Sequence, residues 1–334
     1  MKLAILTLGC KVNQAESAGL DKRVSELGYT LVNVTEDADA YIVNTCAVTA
    51  EAERKSRQAI RRLASGGKPV YVAGCLSEIK KASVAELGAE LIENSPFAAL
   101  DIRGGSGGKP RNRSRALLKI QDGCENFCSY CIIPLARGTR KSLSVSEAVA
   151  AIRNFSADRV RETIITGIDI ASYGADFPEP FTLAELIRAL HRAAPDMRLQ
   201  LGSLEPRIVT ADFCEAAKGA VNAKFHLSLQ SGCDSVLRRM NRKYDTARFT
   251  ESVKLLREYF PECELSADVI VGFPGETESE FEETFNYVNS INFEHLHVFP
   301  YSIRPGTVAA DMPNQVDKAV KTLRAERLRA IGTP

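Results

Sequence analysis

The chain contains no apolar run approaching the roughly eighteen residues that span a bilayer. Its amino terminus, MKLAILTLGCKVNQ, also lacks a small-residue cleavage site. A membrane span and a secretory leader are therefore not expected, and the reading is a cytoplasmic protein with no membrane partner. Charge of one sign is equally scarce. A formal net charge of +1 over 334 residues gives no global field for nucleic acid, so any such partner must be argued from local clusters. Histidine is sparse as well: the four, His191, His226, His295 and His297, all lie far along the chain from the cysteines considered below. A phosphate loop is missing too, because GFPGE at residues 272–276 lacks the lysine and the full glycine pattern. What is plentiful is cysteine. Nine in a chain long enough to build its own core, in a reducing compartment, argue for metal or redox chemistry rather than a disulfide framework.

The first hundred residues alternate β-rich runs (KLAILTL, TLVNV, AYIVNT, PVYVAG, AELIEN) with helix-like stretches such as AESAGLDKRVSELG and AEAERKSRQAIRRLA. Such alternation predicts an α/β domain with a parallel sheet. Residues 103–115, RGGSGGKPRNRSR, have almost no apolar side chain and form the linker candidate. From Ala116 a second alternation brings the strands LLKIQDG, ETIITGID, RLQLGS, KFHLSLQSG, LSADVIVGF and HLHVFPYS, which predict a partial (β/α)6 barrel. Ser144 and Glu147 form a capping box before a helix whose apolar face is Val145, Ala148, Val149, Ile152 and Phe155. The chain closes with an amphipathic basic helix in NQVDKAVKTLRAERLRAIGTP. The expected domains are thus residues 1–102, a linker at 103–115, and residues 116–334.

GCENFCSYCIIP places Cys124, Cys128 and Cys131 within eight residues, spaced for one compact thiolate site. A closed zinc site needs a fourth protein ligand, and no second C-x-x-C supplies one. Three thiolates on a four-iron cluster leave one iron open to a small-molecule ligand; structural zinc or inert thiols remain the alternative. Cys10, Cys46 and Cys75 each follow a β-run, so a parallel sheet would bring all three to one edge, the edge where α/β proteins bind ligands. Three independent placements at equivalent strand ends favour a second cluster over three small buried hydrophobes. Cys214, Cys233 and Cys263 show no such arrangement and read as packing residues.

The pattern C-x-x-x-C-x-x-C, with Tyr130 before its last cysteine, resembles the cluster motif of the radical S-adenosylmethionine (SAM) enzymes. The whole chain resembles the radical SAM methylthiotransferases. The matching segments include TLGCKVNQAES at residues 7–17, NTCAVTAEAERKSRQAIR from Asn44, HLSLQSGCDSVLRRMNRKY from His226, DVIVGFPGETE from Asp268 and HVFPYSIRPGTVAADM from His297. GCKVNQ, IIPLARG, MNRKY and HVFPYSIRPGT look most like the branch that acts on threonylcarbamoyladenosine in tRNA.

The resemblance implies two 4Fe–4S clusters, SAM and sulfur bound at the auxiliary cluster. Cys10, Cys46 and Cys75 would hold the auxiliary cluster, while Cys124, Cys128 and Cys131 would hold the one that cleaves SAM to a 5′-deoxyadenosyl radical. It further implies two SAM molecules, one methyl donor and one radical source, and conversion of N6-threonylcarbamoyladenosine at position 37 to its 2-methylthio derivative. The implied partners are the tRNA anticodon stem-loop and an electron donor such as flavodoxin or ferredoxin. The family's carboxyl-terminal RNA-binding (TRAM) domain is not found before Pro334. The alternatives are methylthiolation of isopentenyladenosine in tRNA or of a ribosomal protein residue, and a non-enzymatic iron–sulfur or zinc RNA-binding module.

If the barrel reading holds, SAM should meet Tyr130 and the strand ends at Gly167, Asp169, Ser203, Glu205, Gln230 and Gly272; for each strand-end residue a turn or cap role is the competing reading. The basic runs at 109–115, 137–141 and 238–243 are either solvated faces or contacts to tRNA phosphates. His295 and His297 share a strand face and read as barrel filling or substrate-side contacts rather than metal ligands.

Overall fold

The computed structural model describes residues 1–109 and 114–331. It divides into two compact units, Met1–Cys124 with Ile133–Ile168, and Glu125–Ile132 with Asp169–Pro334.

In the first unit, β1 (Lys2–Thr7), β2 (Thr30–Val32), β3 (Ala40–Thr45), β4 (Val70–Gly74) and β5 (Glu90–Leu91) form a parallel sheet in the order β2-β1-β3-β4-β5. All five fall on the runs expected from sequence. The sheet is covered on both faces, so consecutive residues bury in opposite directions. Ile42 joins Leu3, Leu20, Phe97 and Leu100 on one side. Val43 joins Ile60, Val70, Val72 and Leu76 on the other. The helix Ala50–Ala64 starts where Thr49 accepts the Ala52 amide, and its Ile60 and Leu63 are buried.

The helix expected over AESAGLDKRVSELG is instead two, Lys11–Ser17 and Leu20–Glu26. The break is at Gly19, whose φ of +77° is left-handed and whose missing side chain leaves room for the Gly107 carbonyl. The linker expectation meets the same close approach. Gly107–Gly108 is β6, antiparallel to β7 (Ala116–Asp122), and a Cβ on Gly108 would lie 2.6 Å from the Gly19 nitrogen. Part of residues 103–115 is thus a packed glycine contact, while 110–113 lie outside the described residues. β7 also pairs with β8 (Lys141–Ser142) and, in parallel, with β9 (Glu162–Gly167). β7, the helix Val145–Ala157 and β9 therefore belong to the same compact unit as the amino-terminal sheet. The boundary between compact units does not follow the one drawn at residues 103–115.

In the second unit, β10 (Arg198–Leu201) is followed by a parallel sheet of β11 (Lys224–Gln230), β12 (Glu264–Val271) and β13 (His295–Pro300). β7, β9 and β10–β13 coincide with the six runs expected for the second alternation, each followed by helix. Along β12, residues 265, 267, 269 and 271 are buried while 264, 266, 268 and 270 are half-buried. One sheet face packs on helices, and the other carries the half-buried Glu264, Ser266, Asp268 and Ile270.

Candidate functional site

Cys46 and Cys75 follow directly on β3 and β4, and Cys10 lies three residues past β1. These strands are neighbours, and Thr7 is level with Asn44 and Thr45 with Gly74. β1 and β3 also flank the point where the strand order reverses, the ligand-binding position of doubly wound sheets. The three thiols converge. Burial pushes Cys46 up to about 11, against a hydrogen bond from the Val48 amide, and both Cys10 and Cys75 add to the rise. Burial likewise raises Cys75, opposed by the Arg137 guanidinium and reinforced by Cys10 and Glu16. Glycine keeps the approach open: a Cβ on Gly9, at φ +94°, would collide with the Cys46 Cβ and lie 2.8 Å from its Sγ.

Beside these thiols lies an ion network that sequence reading missed. Arg137 Nη1 donates to Glu16 Oε1 (2.7 Å) and Asp122 Oδ1 (2.9 Å), while Nη2 donates to Asn13 Oδ1 (2.8 Å). Lys119 Nζ donates to Glu16 Oε1 and to Asp122 Oδ2, both at 3.0 Å. Glu16 is fully buried and the Arg137 side chain is 1% exposed, so Arg137 is no surface contact for phosphate. Burial alone would lower Arg137 and raise Asp122. The ion pairs win at both groups, holding Arg137 above and Asp122 below their ordinary values.

In the other cysteine set, Cys124 belongs to the first unit and donates its amide to the Gly138 carbonyl (3.1 Å). Cys128 and Cys131 belong to the second, in a loop clamped along its length. The Cys131 amide donates to the Cys128 carbonyl (3.0 Å), Ser129 N to Met240 O (3.0 Å), and Ala309 N to Ser129 O (2.7 Å). Phe127 holds φ +48°, an uncommon conformation for a bulky residue, and its carbonyl accepts from Asn241 Nδ2 (2.8 Å). Arg242 Nη1 donates to Cys128 Sγ (3.0 Å) and reaches the Tyr130 hydroxyl at 3.5 Å. Burial raises Tyr130 well above its ordinary value, with Arg242 opposing. The Tyr244 hydroxyl donates to the Leu229 carbonyl (2.9 Å) and accepts from Arg242 Nε (3.0 Å). Within the basic run 238–243, therefore, Arg242 faces a cysteine and Arg239 pairs with Glu280 (2.8 Å).

Of the strand-end residues, Asp169 accepts from Asn126 Nδ2 (2.8 Å), and burial followed by Glu205 raises its carboxyl. Glu205 is held bidentately by Arg207, both contacts at 2.7 Å. Asp169, Glu205, Arg207, Arg242 and Cys128 thus share one electrostatic neighbourhood. Gly167 ends β9, Ser203 is exposed past β10, and Gln230 ends β11 at φ +69°. Gly272, at φ +68°, donates its amide to Glu276 Oε2 (2.6 Å), and a Cβ there would strike Lys321.

Asp268, on the half-buried face of β12, lies 3.1 Å from His226 Nε2 and 3.4 Å from His297 Nδ1. Among the described residues this is the trio of His, Cys, Asp or Glu whose donor atoms all lie within 4.8 Å; neither cysteine trio is that tight. A single zinc, with Zn–S bonds of about 2.3 Å, would draw its ligands closer than that. Three thiols at wider spacing, a buried Arg137 Nε with no partner and the space kept by Gly9 fit a larger thiolate-bound group at Cys10, Cys46 and Cys75. Sulfur donors fit iron–sulfur chemistry.

Residues 118–288 match the model of the Radical SAM superfamily, and residues 2–92 match that of "Uncharacterized protein family UPF0004". The chain is 34% identical to the threonylcarbamoyladenosine tRNA methylthiotransferase MtaB of Bacillus subtilis, over 98% of this chain and 80% of that protein. It is 31% identical to tRNA-2-methylthio-N(6)-dimethylallyladenosine synthase of Trichlorobacter lovleyi, over 99% and 83%. Among solved structures, the radical SAM methyltransferase TsrM of Kitasatospora setae shares the fold, with a TM-score of 0.64 at 16% identity over 92% of this chain and 77% of that one. A 4Fe–4S cluster and SAM are the cofactors that the superfamily implies. With thiols gathered at one sheet edge, a clamped loop carrying Cys128 and Cys131, and near-full-length identity above 30% to named relatives, the chain belongs to the radical SAM methylthiotransferase family.

Proposed function

We propose that the protein methylthiolates N6-threonylcarbamoyladenosine at position 37 of tRNA, beside the anticodon, using two molecules of SAM as methyl donor and radical source. Cys124, Cys128 and Cys131 are the proposed ligands of the SAM-cleaving cluster, and Cys10, Cys46 and Cys75 those of an auxiliary cluster carrying the sulfur. The observation that carries this reading is the convergence of Cys10, Cys46 and Cys75 at adjacent parallel strand ends.

The carbon–hydrogen bond to be replaced lies on an aromatic ring and has no useful acidity, so acid–base side chains alone would not break it. When bound, the cluster and SAM supply the one-electron chemistry. The chain's own groups then bind and orient. Arg242 donates to Cys128, and Tyr130, Asp169, Glu205 and Gln230 are proposed to meet SAM along with Gly167, Ser203 and Gly272. The half-buried face of β11 and β12, with His226 and Asp268, and the exposed His297 beside them are the proposed contacts for the nucleoside.

Relatives named for threonylcarbamoyladenosine are 33–35% identical, against 31% for those named for dimethylallyladenosine, which supports the first substrate and makes the second the competing one. The anticodon stem-loop and a flavodoxin- or ferredoxin-like donor are the proposed partners. Mass spectrometry of nucleosides from tRNA incubated with reduced, cluster-loaded enzyme tests the reading. The 2-methylthio derivative of threonylcarbamoyladenosine is expected; a product only on dimethylallyladenosine would transfer the assignment.

A further inference from the structure

We propose that Arg137 is the positioning residue of the Cys10–Cys46–Cys75 site, its guanidinium tying the three cysteine loops together and directing hydrogen bonds and positive charge at the sulfur ligands. The inference rests on the reading of those cysteines as cluster ligands and goes beyond it.

One side chain reaches all three loops. Arg137 Nη2 donates to Asn13 Oδ1, which also lies 3.7 Å from Cys10 Sγ. Asn13 Nδ2 in turn donates to Leu8 O (2.9 Å) and Thr45 O (2.8 Å), the backbone just ahead of Cys10 and of Cys46. Asn13 therefore joins two loops, and Arg137 holds Asn13. The third loop is close by, because the helix Cys75–Ile79 packs against the helix Ile133–Arg137, and the guanidinium offsets part of the burial cost of a Cys75 thiolate. Arg137 Nε is buried and has no partner, a donor for which a nearby sulfur is the missing acceptor.

A purely structural role explains less. Buried ion pairs are weak sources of stability, because two desolvated charges repay their hydration only with excellent geometry. Here two cations, Lys119 and Arg137, face two carboxylates, Glu16 and Asp122, so the network is neutral without the cysteines. Thiolates added beside it meet a fork already aimed by Glu16. Hydrogen bonds and charge at cluster sulfurs set reduction potential, so Arg137 should favour the reduced state and Glu16 oppose it.

The test uses the full chain with Cys124, Cys128 and Cys131 changed to Ala, reconstituted anaerobically with iron and sulfide. Iron content and an EPR-monitored redox titration are read. This parent is expected to bind about four irons per chain. Arg137→Gln should lower the reduced-to-oxidised ratio at a fixed potential about tenfold, a shift of about 59 mV to more negative values for one electron. Arg137→Lys should fall between, and Glu16→Gln should move the midpoint the other way. A parent that takes up iron, with variants whose midpoint and EPR signal are unchanged, overturns the role of Arg137. A parent that takes up none overturns the cluster reading itself. If Arg137→Gln fails to fold, the sign of the Glu16→Gln shift decides: a rise supports the proposal, and no change or a fall overturns it.

Discussion

Cys46 and Cys10 differ in environment although both lie at the ends of adjacent strands. Cys10 is exposed, whereas Cys46 is buried, with its thiol pushed to about 11 by burial. An acid whose pKa is raised on folding keeps its proton longer in the native state. Its contribution is complete below the unfolded value, near 9, and is lost as pH rises through 11. The rise corresponds to about 3 kcal/mol. Denaturant unfolding of the metal-free protein should therefore show stability falling between pH 9 and 11, with the slope reduced in Cys46→Ala; equal slopes would contradict the burial argument. Gly9→Ala tests the space around the same thiol. Left-handed φ and the clash with Cys46 should together cost about 1–3 kcal/mol by denaturant melt and reduce iron uptake. Unchanged stability and uptake would show that the loop has room to move.

The residue scale is also where sequence reading reached least. The placement of Cys10, Cys46 and Cys75 past β1, β3 and β4 was legible because strand ends are a local signal. Arg137 and Arg242 were not, since a run such as RGTRK or RRMNRK looks like a solvated face. Their partners, Glu16 and Cys128, lie 121 and 114 positions upstream, where no periodicity points. Asp268 was hidden for a related reason, being one half-exposed residue of an alternating strand whose meaning comes only from His226 and His297 on the strands beside it.

Elements were more legible. All five strands of the first sheet and the six later ones fall on β-rich runs, because a strand buried on one or both faces must be written in apolar residues. The capping box was readable for the same reason of locality: Ser144 Oγ accepts the Glu147 amide at 3.2 Å, and Glu147 reaches back to the Ser144 amide. Ser144→Ala should cost about 1 kcal/mol in urea unfolding. A loss below a few tenths would mean that tertiary packing alone sets the start of Val145–Ala157. What failed at this scale was glycine. AESAGLDKRVSELG reads as continuous helix until Gly19 is seen turning against Gly107, and the run beginning RGGSGG reads as linker until Gly108 is seen packed on Gly19. Composition reports flexibility, whereas a glycine chosen for close approach leaves the same letters.

For the whole molecule, two alternations of strand and helix and two cysteine trios are readable in the residues, and the matched family models cover 2–92 and 118–288. The compact units divide the chain differently, assigning β7, the helix Val145–Ala157 and β9 to the same unit as the amino-terminal sheet. Charge at this scale is similarly redistributed. Arg137, Arg239 and Arg324 are taken up by Glu16, Glu280 and Glu276, so a net charge of +1 understates how much basic side chain is committed internally. No helix among the described residues is long and apolar enough to cross a membrane.

Iron analysis of three anaerobically reconstituted proteins tests most directly whether the chain carries two independent three-thiol sites. Wild type should hold about eight irons per chain, and Ala replacement of either trio, Cys10–Cys46–Cys75 or Cys124–Cys128–Cys131, should leave about four with the spectrum of an intact cluster. Wild-type iron content in the variant lacking Cys10, Cys46 and Cys75 would contradict the account.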